Sequence, residues 1–103
     1  MIMYIRTKYL NSTILKREEY WENGFLHRIN DKPAIVEYYE NGNVKRKEYW
    51  INNKKHRNNN KSAIVEYYDN GNIKYEEYYH NGTKYKHIIN NNYLIHEFYD
   101  SKH

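Results

Sequence analysis

The chain has 103 residues with one proline, no cysteine and a formal net charge of +4. Its mean hydropathy of -1.24 and its lack of any long apolar run fit one small domain, 1–103, and exclude a disulfide-stapled scaffold or a transmembrane protein. The apolar opening Met1–Ile5 is stopped by Arg6 and is too short for a signal-peptide core, so a soluble, cytoplasmic chain is expected, whose mild basic excess permits an anionic partner without requiring one.

Asn, Lys, Ile and Tyr supply 53 of the 103 residues, and all four have AT-rich codons, which points to an AT-rich genome. Disorder is not implied, because aromatic residues make up 17% of the chain and disordered segments are poor in them.

In chain order, one short motif recurs: KYLNST from Lys8, EYWENG from Glu19, EYYENG from Glu37, EYWINN from Glu48, EYYDNG from Glu66, EYYHNG from Glu77 and EFYDSK from Glu97. The larger segment AIVEYYENGNVKRKEYW, 34–50, returns after 29 residues as AIVEYYDNGNIKYEEYY, 63–79. Units of about 5–33, 34–62 and 63–92 follow, with a terminal capping strand at 93–100. Gly24, Gly42, Gly71 and Gly82 each follow an asparagine. Asn-Gly favours the two-residue type I′ hairpin turn, which needs positive φ at both positions, so each motif predicts a hairpin tip.

Pairing outward from Asn41 and Gly42 sets Tyr39 opposite Val44, Tyr38 opposite Lys45, Glu37 opposite Arg46 and Val36 opposite Lys47. From Asn52 and Asn53 it sets Trp50 opposite Lys55, Tyr49 opposite His56 and Glu48 opposite Arg57. One opposite-charge pair per period results: Glu19 with Arg28, Glu48 with Arg57 and Glu77 with Lys86. Alternation along strands predicts one aromatic file from Tyr9, Tyr20, Tyr38, Tyr49, Tyr67, Tyr78 and Phe98, and another on the opposite face from Leu10, Trp21, Tyr39, Trp50, Tyr68, Tyr79 and Tyr99. With aromatics and charges on both faces, a single-layer or strongly curled sheet fits better than a sandwich, and the expected fold is all-β: an elongated antiparallel meander of nine or ten strands built from stacked hairpins. The segments 29–33 (INDKP) and 58–62 (NNNKS) join consecutive units.

Tyr-Tyr-Glu-Asn-Gly-Asn-Val-Lys followed by Glu-Tyr-Trp resembles the variant MORN repeat. Trp21, Asn23, Gly24, His27, Arg28, Pro33 and Ala34, with Trp50, His56, Arg57 and Ala63 one unit later, resemble the long-period versions multiplied in giant DNA viruses of amoebae. The period of 29 and Asn53 in place of a turn glycine depart from the standard pattern. The resemblance implies stacked hairpins serving protein association, dimerisation or attachment to acidic lipids, with no intrinsic enzymatic activity and no cofactor, and a viral source.

The residues give no catalytic candidate. Ser12, Ser62 and Ser101 lie in no nucleophile motif, and the adjacent carboxylates Glu18 with Glu19 and Glu76 with Glu77 point to opposite faces. His27 and His56 occupy equivalent positions, whereas His80, His87, His96 and His103 lack ligand spacing, so no metal site is expected. The sequons at Asn11, Asn60 and Asn81 are ascribed to the asparagine content.

Two candidate binding surfaces remain. Lys45, Arg46, Lys47, Lys54, Lys55, Arg57 and Lys61 crowd the middle hairpin, with Lys45 and Lys47 expected on one face and Arg46, Lys55 and Arg57 on the other with Trp50; they are a candidate anion-binding patch for nucleic acid or acidic lipid. Trp21, Tyr39, Trp50, Tyr68 and Tyr79 form the candidate protein interface, through which self-association is also expected. The primary expectation is a non-catalytic repeat scaffold for protein-protein association; nucleic-acid or acidic-lipid binding is the alternative.

Overall fold

A computed structural model describes residues 1–91 and 93–100; Asn92 and the final copy's Ser101 and Lys102, with His103, lie outside the described residues. The chain forms β1 (Ile2–Lys8), β2 (Leu15–Glu22), β3 (Phe25–Leu26), β4 (Ile35–Tyr38), β5 (Val44–Glu48), β6 (Trp50–Ile51), β7 (Lys54–Lys55), β8 (Ile64–Tyr67), β9 (Ile73–His80), β10 (Thr83–Asn90) and β11 (Ile95–Tyr99). The fold is the expected all-β antiparallel meander, with two-residue strands at the tips bringing the total among the described residues to eleven. The main sheet runs β1-β2-β4-β5-β8-β9-β10-β11, β3 pairs with the end of β2, and β6 pairs with β7. Among the described residues there is no helix, hence none long and apolar enough to cross a membrane.

The molecule measures 45 × 36 × 18 Å, with a radius of gyration of 14.7 Å, against about 13 Å for a compact chain of about 100 residues. A layer this thin has a small core: Leu26, Ala34, Ile35, Val36, Tyr49, Ala63, Ile64 and Val65 are its buried apolar residues. Six come from the two AIV segments, while Leu26 lies in β3 and Tyr49 between β5 and β6.

The tips at Asn23-Gly24, Asn52-Asn53 and Asn81-Gly82 have positive φ at both positions, 51° and 82°, 49° and 65°, and 46° and 86°, as the type I′ reading requires. The turns at Asn41-Gly42 and Asn70-Gly71 are different. There only the glycine is left-handed, with φ of 89° at Gly42. The Gly42 N–H donates to the Tyr39 carbonyl at 2.9 Å and the Tyr39 N–H to the Asn43 carbonyl at 2.9 Å. This is a three-residue loop, a type I turn closed by a glycine bulge, and the Asn41 side chain supports it by accepting from the Asn43 N–H at 2.9 Å.

The longer loop changes the local register. Tyr39 meets Asn43, and Tyr38 pairs with Val44 instead of Lys45, which becomes the extra residue of a bulge. Beyond the bulge Glu37 pairs with Arg46 and Val36 with Lys47, as expected. Trp50 pairs with Lys55, and the His27 and His56 N–H groups donate to the Tyr20 and Tyr49 carbonyls at 3.2 and 3.1 Å, so the tip register also agrees.

The recurrent ion pairs of Glu19, Glu48 and Glu77 with Arg28, Arg57 and Lys86 do not form. Each strand pair at the first two tips ends before reaching the cation: the Arg28 N–H turns to the Trp50 carbonyl and the Arg57 N–H to that of Tyr79. In the third unit, the extra residue Tyr85 shifts Lys86 opposite Tyr78. The three cations instead lie over the rings of Tyr20, Tyr49 and Tyr78, at 3.6, 3.8 and 4.9 Å from their centroids. The Tyr85 bulge also corrects the two aromatic files. Tyr99 lies beside Lys86 on the Tyr78 face, while Phe98 stacks on His87, the cross-strand neighbour of Glu77, on the other face. Leu10, 91% exposed, belongs to neither.

Two lateral rows cross the whole sheet. On one face, Ile5, Glu19, Ile35, Glu48, Ile64, Glu77, His87 and Phe98 are successive neighbours; on the other the row is Arg6, Glu18, Val36, Lys47, Val65, Glu76, Ile88 and Glu97. Because contacts repeat at 29 residues, units should be removable. The Tyr20 N–H donates to the Ala34 carbonyl at 2.8 Å and the Tyr49 N–H to the Ala63 carbonyl at 2.7 Å, so deleting 34–62 brings Ala63 to the place of Ala34. The shortened protein is expected to give a β-sheet circular dichroism spectrum with a lower melting temperature; a fully unfolded product under conditions where the parent is folded would contradict the modular contacts.

Candidate interaction surfaces

On the first face each unit repeats a three-residue cluster along one strand. The Arg17 guanidinium lies 2.5 Å from Glu19, and the Trp21 indole N–H donates to the same carboxylate at 3.0 Å. One unit on, Arg46 lies 2.7 Å from Glu48, and Trp50 donates to it at 2.9 Å. In the third unit Tyr75 replaces the arginine, Tyr79 donates to Glu77 at 3.5 Å, and Lys84 sits 3.2 Å from Glu77. Neighbouring strands extend this network, Glu37 to Arg17 at 3.3 Å and Glu66 to Arg46. Burial alone would raise the Glu19 and Glu77 carboxyls; hydrogen bonds from Trp21 and Arg17, and from Tyr75 and Lys84, outweigh it and hold both below the usual range. Both carboxylates are thereby engaged by donors of the same chain.

The candidate interface of Trp21, Tyr39, Trp50, Tyr68 and Tyr79 separates into two groups, all half-buried. Trp21, Trp50 and Tyr79 stand at the tip end on these glutamates. Tyr39 and Tyr68 lie at the turn end, where their hydroxyls donate to the Tyr67 and Asn90 carbonyls at 2.7 and 2.9 Å. Tyr9 makes the same bond to the Tyr38 carbonyl at 2.7 Å. The Tyr9 and Tyr39 bonds tie successive units together, and that of Tyr68 lies within the third.

The basic residues of the middle hairpin are likewise dispersed. Arg46 is held by Glu48 and Glu66. Lys55 lies 5.7 and 5.1 Å from the Trp50 and Tyr79 rings on the same face, whereas Lys47 faces Tyr67 on the opposite one. Arg57 corrects the expectation, since it stacks on Tyr49 and not on the Trp50 face. Lys45 occupies its bulge at 5.7 Å from Tyr39, the carbon chain of Lys54 packs near Gly82, and Lys61 reaches Asp31 at 3.1 Å.

Asp31, which the sequence reading passed over, links two units. It lies in the first connecting loop, accepts from Arg57 at 2.8 Å and from Lys61, and borders a cleft of about 300 Å³ between the loops around Arg28 and Asn58. Its equivalent one period later is Asn60, so only comparison of the two loops could have singled it out. The Arg57 hydrogen bond, opposed by burial and aided by Lys61, lowers the carboxyl from 3.8 to about 2. A folded-state value below the unfolded one contributes stability above pH 3.8 that is lost as pH falls through about 2. Asp31→Asn should flatten that acid limb in urea unfolding midpoints; equal slopes for both proteins would show that the bridge contributes nothing.

His27 and His56 have a similar linking role. Their Nδ1 atoms accept the N–H groups of Asn52 and Asn81, at 3.0 and 2.9 Å, so each imidazole supports the next tip. Many side chains of the faces and tips are engaged by bonds within the chain, and every residue of β1 and β11 is exposed. Comparison of the chain with protein-family models, with curated proteins and with solved structures gave no match.

Proposed function

We propose that this protein is a non-catalytic repeat scaffold of the MORN type that serves protein-protein association. The observation that carries the reading is the pair of open sheet edges: Ile2, Ile95 and Tyr99 are 75%, 66% and 64% exposed on strands whose outer sides have no neighbour among the described residues. The hairpin repeat and its resemblance to MORN units support the same reading, as does the dispersal of the basic side chains, several of which already face carboxylates. Titrating the protein with single-stranded DNA and with vesicles containing anionic lipid, across a salt series, tests it. The expected result is no saturable binding at physiological salt. Affinity for either probe that falls steeply with salt, as phosphate contacts require, would replace the scaffold by the nucleic-acid or acidic-lipid reading.

A further inference from the structure

We infer that the partner of the β11 edge is the β1 edge of a second copy, which continues the sheet head to tail. This rests on the scaffold reading and specifies its partner. Four features of the two edges agree.

The first is direction. The main sheet has eight strands paired antiparallel throughout, so β1 and β11 run in opposite senses. A copy set alongside without being turned over brings β11 antiparallel to β1.

The second is backbone parity. The Met1 carbonyl accepts from the Asn23 N–H, so odd residues of β1 face β2, and Tyr4 and Arg6 turn their backbone groups outward. The Asp100 N–H donates to the Tyr85 carbonyl, so even residues of β11 face β10, and Glu97 and Tyr99 turn outward. Pairing Arg6 with Glu97 and Tyr4 with Tyr99 therefore places outward groups on both sides in hydrogen-bonding positions.

The third is the lateral row. Arg6 and Glu97 are the two ends of one row on one face, and Ile5 and Phe98 are the two ends of the adjacent row on the other. The same register continues both rows at once and keeps each face of one copy continuous with that of the next.

The fourth is charge. The formal charges of β1 are Arg6 and Lys8, whereas that of β11 is Glu97. Pairing two β1 edges brings cations together with no acid between them, and pairing two β11 edges on their central residue sets Glu97 against Glu97. The unlike pairing alone sets a cation of one edge strand against an acid of the other. Because the contact uses two different edges, it is heterologous and extends into open rows instead of stopping at a dimer.

The test is sedimentation velocity of the full chain over a concentration series at low and high salt, with Arg6→Glu, Glu97→Arg and their equimolar mixture. The wild type is expected to give a sedimentation coefficient that keeps rising with concentration and falls with salt. Each single variant is expected to associate about tenfold or more weakly, since like charges then meet, and the mixture to recover association because every edge again meets its opposite. Both substituted positions are exposed, and circular dichroism checks that the fold is retained.

A second readout uses the absence of native cysteine. Ile5 and Phe98 would form a close non-hydrogen-bonded pair, so mild oxidation of mixed Ile5→Cys and Phe98→Cys proteins is expected to yield mainly the mixed disulfide. Monomeric wild type at all concentrations, single variants that associate like the parent, or predominance of either homodisulfide would each overturn the edge pairing. The scaffold reading itself is tested separately, by the salt dependence of DNA and anionic-vesicle binding.

Discussion

Replacing Ile64 by alanine is expected to destabilise the protein by about 2–5 kcal/mol, the range for truncating a buried isoleucine, which is a large share of the roughly 5–15 kcal/mol that holds small domains folded. Ile64 is fully buried and stands between Glu48 and Glu77 in the lateral row. Neither neighbour can relax into the vacated space without giving up its bonds, Glu48 to Arg46 and Trp50, Glu77 to Lys84 and Tyr79. Ile5 begins the same row but is 39% exposed on the edge strand, so Ile5→Ala should cost about 1 kcal/mol or less. Urea unfolding of the two variants beside the parent measures the difference; equal midpoints for Ile64→Ala and Ile5→Ala would show that position in the row does not set the cost.

Tyr49→Ala should have a comparable effect, about 3–5 kcal/mol as for other large buried aromatics, while Tyr49→Phe should retain most of the stability. Tyr49 is 7% exposed and lies where β5 passes into the tip strand β6. Its ring supports the Arg57 guanidinium at 3.8 Å, and Arg57 in turn donates to the Ser62 carbonyl at 3.1 Å and to Asp31. Removing the ring loosens the connecting loop as well as the core. The equivalent Tyr78 is only half-buried, so Tyr78→Ala should cost less. Thermal melts of the three variants decide the order, and a Tyr49→Phe loss equal to that of Tyr49→Ala would assign the effect to the hydroxyl instead of the ring.

The 29-residue repeat makes the meander legible in the sequence, because period-two alternation and the Asn-Gly dipeptides agree on where strands end. The pairing of Glu37 with Arg46 holds although the turn beyond it is a three-residue loop and not a type I′ turn: the longer loop and the Lys45 bulge are one-residue irregularities that compensate. Dipeptide chemistry alone does not distinguish the two turn types, since the side chain of Asn41 caps Asn43 and holds Asn41 out of the left-handed region. The misassigned cations Arg28, Arg57 and Lys86 have a different cause. Opposition across a hairpin assumes that the ladder continues, and here it stops or shifts, so the tyrosine beside each expected partner receives the charge. The separation of Trp21 from Tyr39 was not legible for the same reason: alternation places residues on a face, while their distance from the tip depends on where each turn falls. Asparagine content, ascribed first to the genome, also has a conformational role, as Asn30, Asn59 and Asn60 join the tip asparagines at positive φ.

The 18 Å thickness of the sheet has a thermodynamic corollary. Unfolding hydrates apolar surface in proportion to how much the folded chain conceals, and that hydration sets the heat-capacity increment, about 12–15 cal/mol/K per residue in ordinary globular domains. With so small an apolar interior, this protein should fall below that range. Its free energy of unfolding then curves gently with temperature, and cooling weakens it less than it weakens a thick-cored domain of equal length.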